Sequence, residues 1–258
     1  KRIVRAKRKI ADAHIPYAVP EDEELPARIS GVLQVVYLIF NEGYSATGGE
    51  ELVRRELCTE AIRLGRLLCE LMPHDAEGWG LLSLMLLHDA RYEARVDDRG
   101  RYVALDGQDR DLWDSATISE GLKALHRALQ LRSPGRFQLQ SAITALHVQA
   151  ADPGATEWTQ IAALYGALAQ FDPSPVVEVN RAAAVAFATN PKAGLDLLEP
   201  LLADPALTDY QPLAATHAEL LRRHGDRDGA AAAYRRAIEL TENHIERDEL
   251  LRRLASIG

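Results

Sequence analysis

The sequence predicts an all-α protein built of stacked helical hairpins, an α-solenoid. Apolar residues recur at i, i+3 and i+4 along most of the 258-residue chain, which is the spacing of helices with one buried face. Triplets of small or apolar residues at i, i+4 and i+7 return roughly every 34 residues, the period of a helical-hairpin repeat. One short segment departs from this pattern and predicts a small inserted β-hairpin.

The first ten residues form a basic segment. They carry six positive charges and no negative one, although the whole chain has a formal charge of −8. Because the chain has 30 basic and 38 acidic residues, removing these six leaves 24 basic residues and a formal charge of −14. Apolar residues at positions 3, 6 and 10 have helical spacing. This predicts a nucleic-acid element or, less often, a membrane-surface helix; a solvated charged face or a disordered basic arm is the alternative.

Positions 14–25 predict an extended linker. Pro16 and Pro20 restrict the backbone, and the acidic run at 21–24 would repel DNA. Beyond the linker the pattern is helical almost throughout.

The first helix is expected to begin at Pro26, because proline is favoured in the first turn of a helix. Its apolar positions continue to Phe40, and Gly43 then ends the run. Two more helices are expected at about 50–72 and about 75–92.

The predicted β-hairpin lies at 95–105. The run Asp-Asp-Arg-Gly at 97–100 is typical of a tight turn, and Val96 and Tyr102-Val103 on either side favour two short strands. We therefore expect a hairpin inserted between two helices.

From Asp114 onward the helices come in pairs with the spacing of tetratricopeptide repeats. The reason is steric, since small side chains let two helices approach and one larger side chain fills the gap between them. Repeats of this kind predict stacked hairpins closed by a polar capping helix over Thr241–Ile257. The expected packing triplets are Ala230, Tyr234 and Ala237; Ala193, Leu197 and Pro200; Ile161, Tyr165 and Leu168; and a poorer copy at Gly121, Leu125 and Ala128.

The basic segment also resembles a known DNA-binding element. The run RIVRAKRKI at 2–10 resembles the end of the recognition helix in the fourth domain of extracytoplasmic-function (ECF) sigma factors, which typically reads R-L-x-R-A-R-x-x-L. The positions on that pattern are Arg2, Ile3, Arg5, Ala6, Lys7 and Ile10.

Further stretches resemble the C-terminal extension of one sigma-factor subgroup, which carries a tetratricopeptide-like helical domain behind its promoter-binding domain. They are FNEGYSA at 40–46, EAIRL at 60–64, LMLLHDAR at 84–91, and QDR at 108–110 followed by Trp113-Asp114. The resemblance covers nearly the whole chain. It implies the end of a DNA-recognition helix at 1–13, a linker at 14–25 and a tetratricopeptide-like domain at 26–258.

The resemblance implies a C-terminal regulatory or protein-interaction domain of an ECF sigma factor, which directs RNA polymerase to promoters in transcription initiation. The partners would be the RNA polymerase core, promoter DNA and, intramolecularly, the sigma domains. It implies no cofactor and no enzymatic activity. Since the chain does not begin with Met, we expect the start of the DNA-binding domain to precede Lys1. The residues expected to contact DNA phosphates are Arg2, Arg5, Lys7, Arg8 and Lys9.

One candidate interface motif ends the first helix. Asn41, Glu42 and Tyr44 place an amide, a carboxylate and a phenol where a carboxylate is unfavourable with the helix dipole unless a cation meets it. The structural alternative is a helix end with a buried tyrosine.

A second motif surrounds one large aromatic side chain with polar groups: Gln108, Asp109, Arg110, Trp113 and Asp114. The structural alternative is an N-cap by Asp114 beside a core Trp113. The functional hypothesis is a polar network that joins Glu42 to Arg110, or Asp109 to another base, and locks the extension against the sigma domains or RNA polymerase.

Asn180 and Arg181 are groove candidates, because the first helix of a tetratricopeptide hairpin lines the concave groove and can hold a peptide or an acidic group. A stand-alone peptide-binding scaffold unrelated to transcription is therefore the alternative function. It explains everything except the basic segment.

An enzyme or metal site has weaker support. Asp106, Asp109, Asp111 and Asp114 could perform acid/base work or bind a divalent cation, but their spacing does not fit a calcium loop. The histidines lack metal-ligand spacing, and no phosphate loop or nucleophile motif occurs. We therefore expect no metal.

The chain has two cysteines, Cys58 and Cys69, eleven residues apart on one expected helix and too distant to bridge each other. Buried thiols favour a reducing, cytoplasmic compartment. The longest apolar run is too short for a membrane span, so we expect no membrane partner.

Overall fold

A computed structural model describes residues 25–44, 54–98, 101–241 and 243–257. The expected recognition helix at 1–13 and all but the last residue of the linker lie outside these ranges. The described residues form eleven α-helices: α1 Leu25–Tyr44, α2 Arg55–Leu71, α3 Ala76–Asp89, α4 Ser115–Gln130, α5 Arg136–Gln149, α6 Trp158–Phe171, α7 Pro175–Ala188, α8 Pro191–Leu202, α9 Gln211–His224, α10 Arg227–Leu240 and α11 His244–Ala255. The predicted all-α fold class is confirmed.

Local signals in the sequence set many of the helix ends. The carboxylate of Asp75 accepts a hydrogen bond from Gly78 N at the start of α3, and Asp226 does the same for Gly229 N in α10. Pro175 and Pro191 each occupy the first turn of a helix, where the missing amide proton costs no hydrogen bond. At the end of α9, Gly225 adopts a left-handed conformation with φ of 94°.

Sequential helices pack as neighbours, α1 on α2, α3 on α4, α7 on α8 and α9 on α10. The first helices of these pairs also contact one another, since α1 meets α3, α3 meets α5 and α7 meets α9. Five separate clusters of buried apolar side chains follow each other along the chain. The core is therefore distributed among the helices along the chain.

Three of the four expected packing triplets are buried where the sequence predicts them. Ala230, Tyr234 and Ala237 are buried in α10, and Gly121, Leu125 and Ala128 in α4; in α6, Ile161 and Leu168 are buried and Tyr165 packs against their cluster.

The expected triplet Ala193, Leu197 and Pro200 is wrong by one residue. The buried positions of α8 are Gly194 and Leu198. A Cβ atom at Gly194 would lie 2.6 Å from Ala186 Cβ and 2.7 Å from the Ala182 carbonyl oxygen. The close approach of α7 therefore requires glycine at this position, and it fixes the packing face of α8.

The segment between α3 and α4 is irregular. It contains three short 3-10 turns at Tyr92–Arg95, Leu105–Gly107 and Arg110–Leu112. In place of the two expected strands, its described residues form a single antiparallel bridge between Val96 and Tyr102. We call residues 90–114 the insert.

The insert reaches the far end of the chain. Arg252 Nη2 in α11 donates a hydrogen bond to the Tyr102 carbonyl oxygen at 3.2 Å. At its other end, Asp114 N donates to the Ala90 carbonyl oxygen at 2.9 Å, which closes the insert at its base. None of the helices in the described ranges combines the length and apolar character needed to cross a bilayer.

Candidate functional site

A cavity of about 330 Å³ lies among α1, α3, α5, α6 and α7. Apolar side chains make much of its wall, and polar side chains from all five helices and from the insert also line it. The polar lining residues are Tyr37, His88, Arg91, Gln140, Thr144, His147, Tyr165 and Asn180.

Arg91 is the charged residue of this lining. It is only 5% exposed, and its Nη2 contacts Tyr44 Oη at 3.1 Å and His88 Nδ1 at 2.8 Å. Because a guanidinium can only donate, His88 Nδ1 accepts, and the ring proton is assigned to Nε2, which lies 3.5 Å from Thr144 Oγ1. A chain of polar groups thus runs from α1 through α3 to α5.

Arg95 lies one helical turn beyond Arg91 and is 4% exposed. Its guanidinium carbon lies 3.6 Å from the centre of the Tyr44 ring, and its Nη1 donates to the Tyr44 carbonyl oxygen. The Tyr44 ring also stacks on Phe40 and meets His88 edge-on. Two buried arginines are therefore held against one tyrosine at the end of α1.

The two histidines of the cavity are uncharged at neutral pH. Burial lowers the pKa of His88 well below its usual value, and the positive charges of Arg91 and Arg95 lower it further. Burial, with Arg91 and Arg110, lowers the pKa of His147 to about 4. The arginines thus create a positive potential at both rings.

A second cavity of about 370 Å³ adjoins the first, and Leu105 and His147 line both. Its lining includes two arginines, Arg110 and Arg253, and two carboxylates, Asp106 and Glu219. Unlike the first cavity, it therefore carries balanced charge.

The residues expected at the end of α1 have divided roles. Glu42 pairs with Arg54 at 2.8 Å, so a cation meets the carboxylate near the helix terminus. Asn41 lies half-buried in the same turn, and Tyr44 belongs to the arginine cluster. Between them, Gly43 would place a Cβ atom 2.8 Å from Cys58 N, so glycine is needed where α1 meets α2.

The second motif acts mainly within the fold. Asp109 accepts from Asp111 N, and Asp114 accepts from Ala116 N and Thr117 N as the N-cap of α4. Trp113 is buried, and Gln108 Nε2 donates to the Val103 carbonyl oxygen. The structural alternative of an N-cap beside a core tryptophan is the arrangement that forms.

Arg110 caps the end of α5, since its Nη1 donates to the carbonyl oxygens of His147 and Ala150 at 3.0 and 2.8 Å. Its guanidinium also lies 4.4 Å from the Trp113 ring centre. The hypothesis of a direct network between Glu42 and Arg110 is wrong. Glu42 pairs with Arg54, whereas Arg110 bonds to carbonyl oxygens at the end of α5.

Of the two groove candidates, Asn180 lines the first cavity. Arg181 instead forms an ion pair with Glu178 on its own helix at 2.7 Å. The basic candidates Arg2, Arg5, Lys7, Arg8 and Lys9 lie outside the described residues.

The acidic cluster from Asp106 to Asp114 is spread over separate turns in which two of its members cap backbone amides. Within the described ranges, no group of three or more His, Cys, Asp or Glu side chains is arranged to hold a metal ion.

Sequence reasoning missed the cavity, its lining residue Arg91 and the neighbouring Arg95. Arg91 lies inside a stretch that resembles the sigma-factor extension, but its burial depends on packing between segments, and its guanidinium contacts Tyr44 on α1 and His88 on α3. A usable signal was the pair Arg91 and Arg95 at i and i+4, which places two cations on one side of a helical turn next to an apolar helix.

Comparisons with known proteins find similarity in the region that contains Arg91 and Arg95. Residues 28–129 match a family of unknown function, DUF6596. The match includes most of α1, all of α2, α3 and the insert, and most of α4. It therefore includes Tyr44, His88, Arg91 and Arg95.

An uncharacterized protein of Rhizobium meliloti (strain 1021) is 43% identical to the chain over 245 residues. The similarity covers 95% of the chain and 57% of the relative. The chain thus spans little more than half the length of the curated relative it matches.

Proposed function

We propose that the chain is the helical regulatory and protein-interaction domain of an ECF-type sigma factor, acting in the cytoplasm through RNA polymerase core and promoter DNA. The proposal carries the sequence resemblance onto the structure. Its main support is that the stretches bearing the resemblance, far apart in the sequence, meet at one place. Tyr44 contacts Arg91, and Asp114 N bonds to the Ala90 carbonyl oxygen.

The helix packing supports a tetratricopeptide-like stack. The helices pair in sequence, and the first members of several pairs contact one another, as expected when first helices line a common inner face. The first cavity lies among α1, α3, α5 and α7, the first helices in this interpretation, with α6 also contributing. The relative's greater length is consistent with further domains beside such a stack.

An exposed apolar stripe on α1 supports contact with the sigma domains. Val32, Val35 and Leu38 are 44%, 56% and 55% exposed and recur at intervals of three along the helix. They lie on the helix that follows the acidic linker, at the part of the domain closest in sequence to the basic segment. Apolar patches of this kind mark protein contacts.

Transcription tests the proposal. The product of the native gene, mixed with RNA polymerase core, should give promoter-dependent run-off transcripts. Replacing Val35→Asp together with Leu38→Asp should change the transcript level, while the melting temperature of the chain changes little because both side chains are exposed. The matched control is Leu129→Asp in α4, which is also 55% exposed.

Two outcomes would contradict the account at different points. If the native product gives no promoter-dependent transcript with core enzyme, the sigma-factor function is wrong. If transcription occurs but the α1 double variant behaves like Leu129→Asp, the function stands and the α1 interface is wrong.

The peptide-binding scaffold remains a second candidate, favoured by the inner cavity lined by Asn180. It predicts that the native product binds a peptide without engaging RNA polymerase core.

A further inference from the structure

The first cavity has the size and wall of a small-molecule site. Its volume of about 330 Å³ lies at the lower end of ligand pockets, which measure roughly 300–1,000 Å³. Leu84, Ile143, Leu168 and Val177 supply apolar wall, and polar groups converge from α3 and α5. A wall of this composition fits an apolar body with one polar end.

The charge of the lining is unbalanced. Arg91 is 95% buried, yet none of the ion pairs among the described residues includes it, and its Nε is a buried donor with no acceptor in that part of the chain. The 14 lining residues include no Asp or Glu. A buried guanidinium without a carboxylate is costly, and its present partners, a phenol and a neutral imidazole, carry no charge.

Neutral hydrogen-bonding groups line the same cavity as the guanidinium. Thr144, Gln140 and Asn180 line the same cavity, and His88 and His147 add rings that are uncharged at neutral pH. One fixed positive charge with several neutral donors matches a singly charged anion. A phosphate dianion would require more positive charge than this lining offers.

We propose that this cavity binds a small organic carboxylate with an apolar body. The carboxylate pairs with the Arg91 guanidinium, and the apolar body packs against Ile143, Leu168 and Val177. Because the cavity is shared by α1, α3, α5, α6 and α7, such a ligand ties the first hairpins to the middle of the stack. The cavity is thus an effector site. This proposal rests on the cavity alone and not on the proposed sigma-factor function.

Calorimetric titration of the chain tests the proposal with phenylacetate and hexanoate as probes. The neutral isostere phenylacetamide and inorganic phosphate are the comparisons. At least one carboxylate should bind at one site per chain and raise the melting temperature as its concentration increases. Phenylacetamide and phosphate should each bind at least roughly tenfold more weakly than that carboxylate. Phenylacetamide lacks the charge that pairs with Arg91, and phosphate lacks the apolar body.

Two variants locate the site. Arg91→Gln removes the charge, and its melting temperature reports whether it folds. Asn180→Trp obstructs the cavity from an exposed position and leaves the core unchanged. Both should abolish carboxylate binding, whereas Arg127→Gln should retain it, since Arg127 is an arginine of α4 outside the lining that contacts the Pro73 carbonyl oxygen.

The proposal is overturned if neither carboxylate binds at millimolar concentration, or if phenylacetamide binds as well as phenylacetate. Carboxylate binding that survives in folded Arg91→Gln or in Asn180→Trp would place the ligand elsewhere. Phosphate binding equal to that of the carboxylates would reduce the site to a general anion site. Each result is independent of transcription.

Discussion

The helices α7 to α10 and the insert at 90–114 are held in place by different kinds of contact. In α7 to α10, small residues let paired helices approach and single large side chains fill the gaps, as Gly194 against Ala186 and Tyr234 beside Ala237 illustrate. The insert instead buries arginines and fixes its turns with side-chain hydrogen bonds. The regular helix pairs of α7 to α10 are therefore held together mainly by the packing of apolar side chains.

The difference is visible in the buried polar groups. In the described part of the chain, four buried side-chain nitrogen or oxygen atoms of the insert lack a hydrogen-bond partner, one each in Arg91, Gln108, Arg110 and Trp113. Native proteins retain few such groups, and those retained need a reason. Polar groups in excess of packing needs therefore concentrate in the insert. Under the proposed function, the insert is the functional region and the regular pairs are its scaffold.

The scaffold should show the largest loss of stability. Tyr234→Ala removes a side chain that is 1% exposed and leaves a cavity, so unfolding should require about 3–5 kcal/mol less. Chemical denaturation measures this change. Tyr234→Phe keeps the ring and loses only the hydrogen bond to the Glu219 carboxylate, so it should cost about 1.5–3 kcal/mol. Equal losses for the two variants would mean that the hydroxyl, and not packing, holds this pair.

Arg110→Ala should cost an intermediate amount. It removes two charged hydrogen bonds to the end of α5, together worth about 1.5–3 kcal/mol, and the contact with the Trp113 ring. The comparison in the regular region is Arg223→Ala, an exposed arginine over the Phe187 ring at 3.9 Å, expected to cost about 0.5–1 kcal/mol. Thermal melting of both variants measures the two losses of stability. If Arg110→Ala costs no more than Arg223→Ala, Arg110 does not stabilise α5.

The smallest expected effect is a change in the free energy of unfolding with pH, caused by His147. His147 has a pKa of about 4 in the folded chain, below the 6.5 of an unperturbed histidine, so the unfolded chain takes up the proton first. The stability from this group is therefore complete above pH 6.5 and is lost as pH falls toward 4. At pH 5.5 the loss is about 1.4 kcal/mol, from 1.36 kcal/mol per pH unit.

His147→Gln should remove this share of the pH dependence. Unfolding measured at pH 7.5 and 5.5 for both proteins gives the difference directly. An unchanged pH dependence in the variant would show that His147 takes up its proton equally in both states.

Much of the fold was predictable because its determinants are local. Apolar spacing, capping aspartates and Pro175 or Pro191 at helix starts are read directly from the sequence. The error in α8 arose because Ala193 and Gly194 are both small, and only the approach of α7 selects the glycine. The hairpin was over-predicted, since a turn sequence favours pairing but does not set how far the strands extend.

The site was less predictable because it depends on contacts between distant segments. Tyr44, Arg91 and Thr144 come from α1, the insert and α5, and no spacing along the chain records their proximity. Polar side chains in the motif at 108–114 attracted a functional interpretation, yet Asp109, Arg110 and Asp114 bond mainly to backbone groups. The sequence shows that these side chains can form hydrogen bonds, but it does not show with which groups they form them.

The contrast between scaffold and insert is tested most directly by hydrogen–deuterium exchange of the native gene product, alone and with RNA polymerase core. Core enzyme should slow exchange in α1 and in the insert, through Val35, Leu38 and the exposed Leu112. Exchange in α8 to α10 should stay unchanged, because these helices only support the site. Slowed exchange confined to α8 to α10, or no change anywhere, would contradict the account.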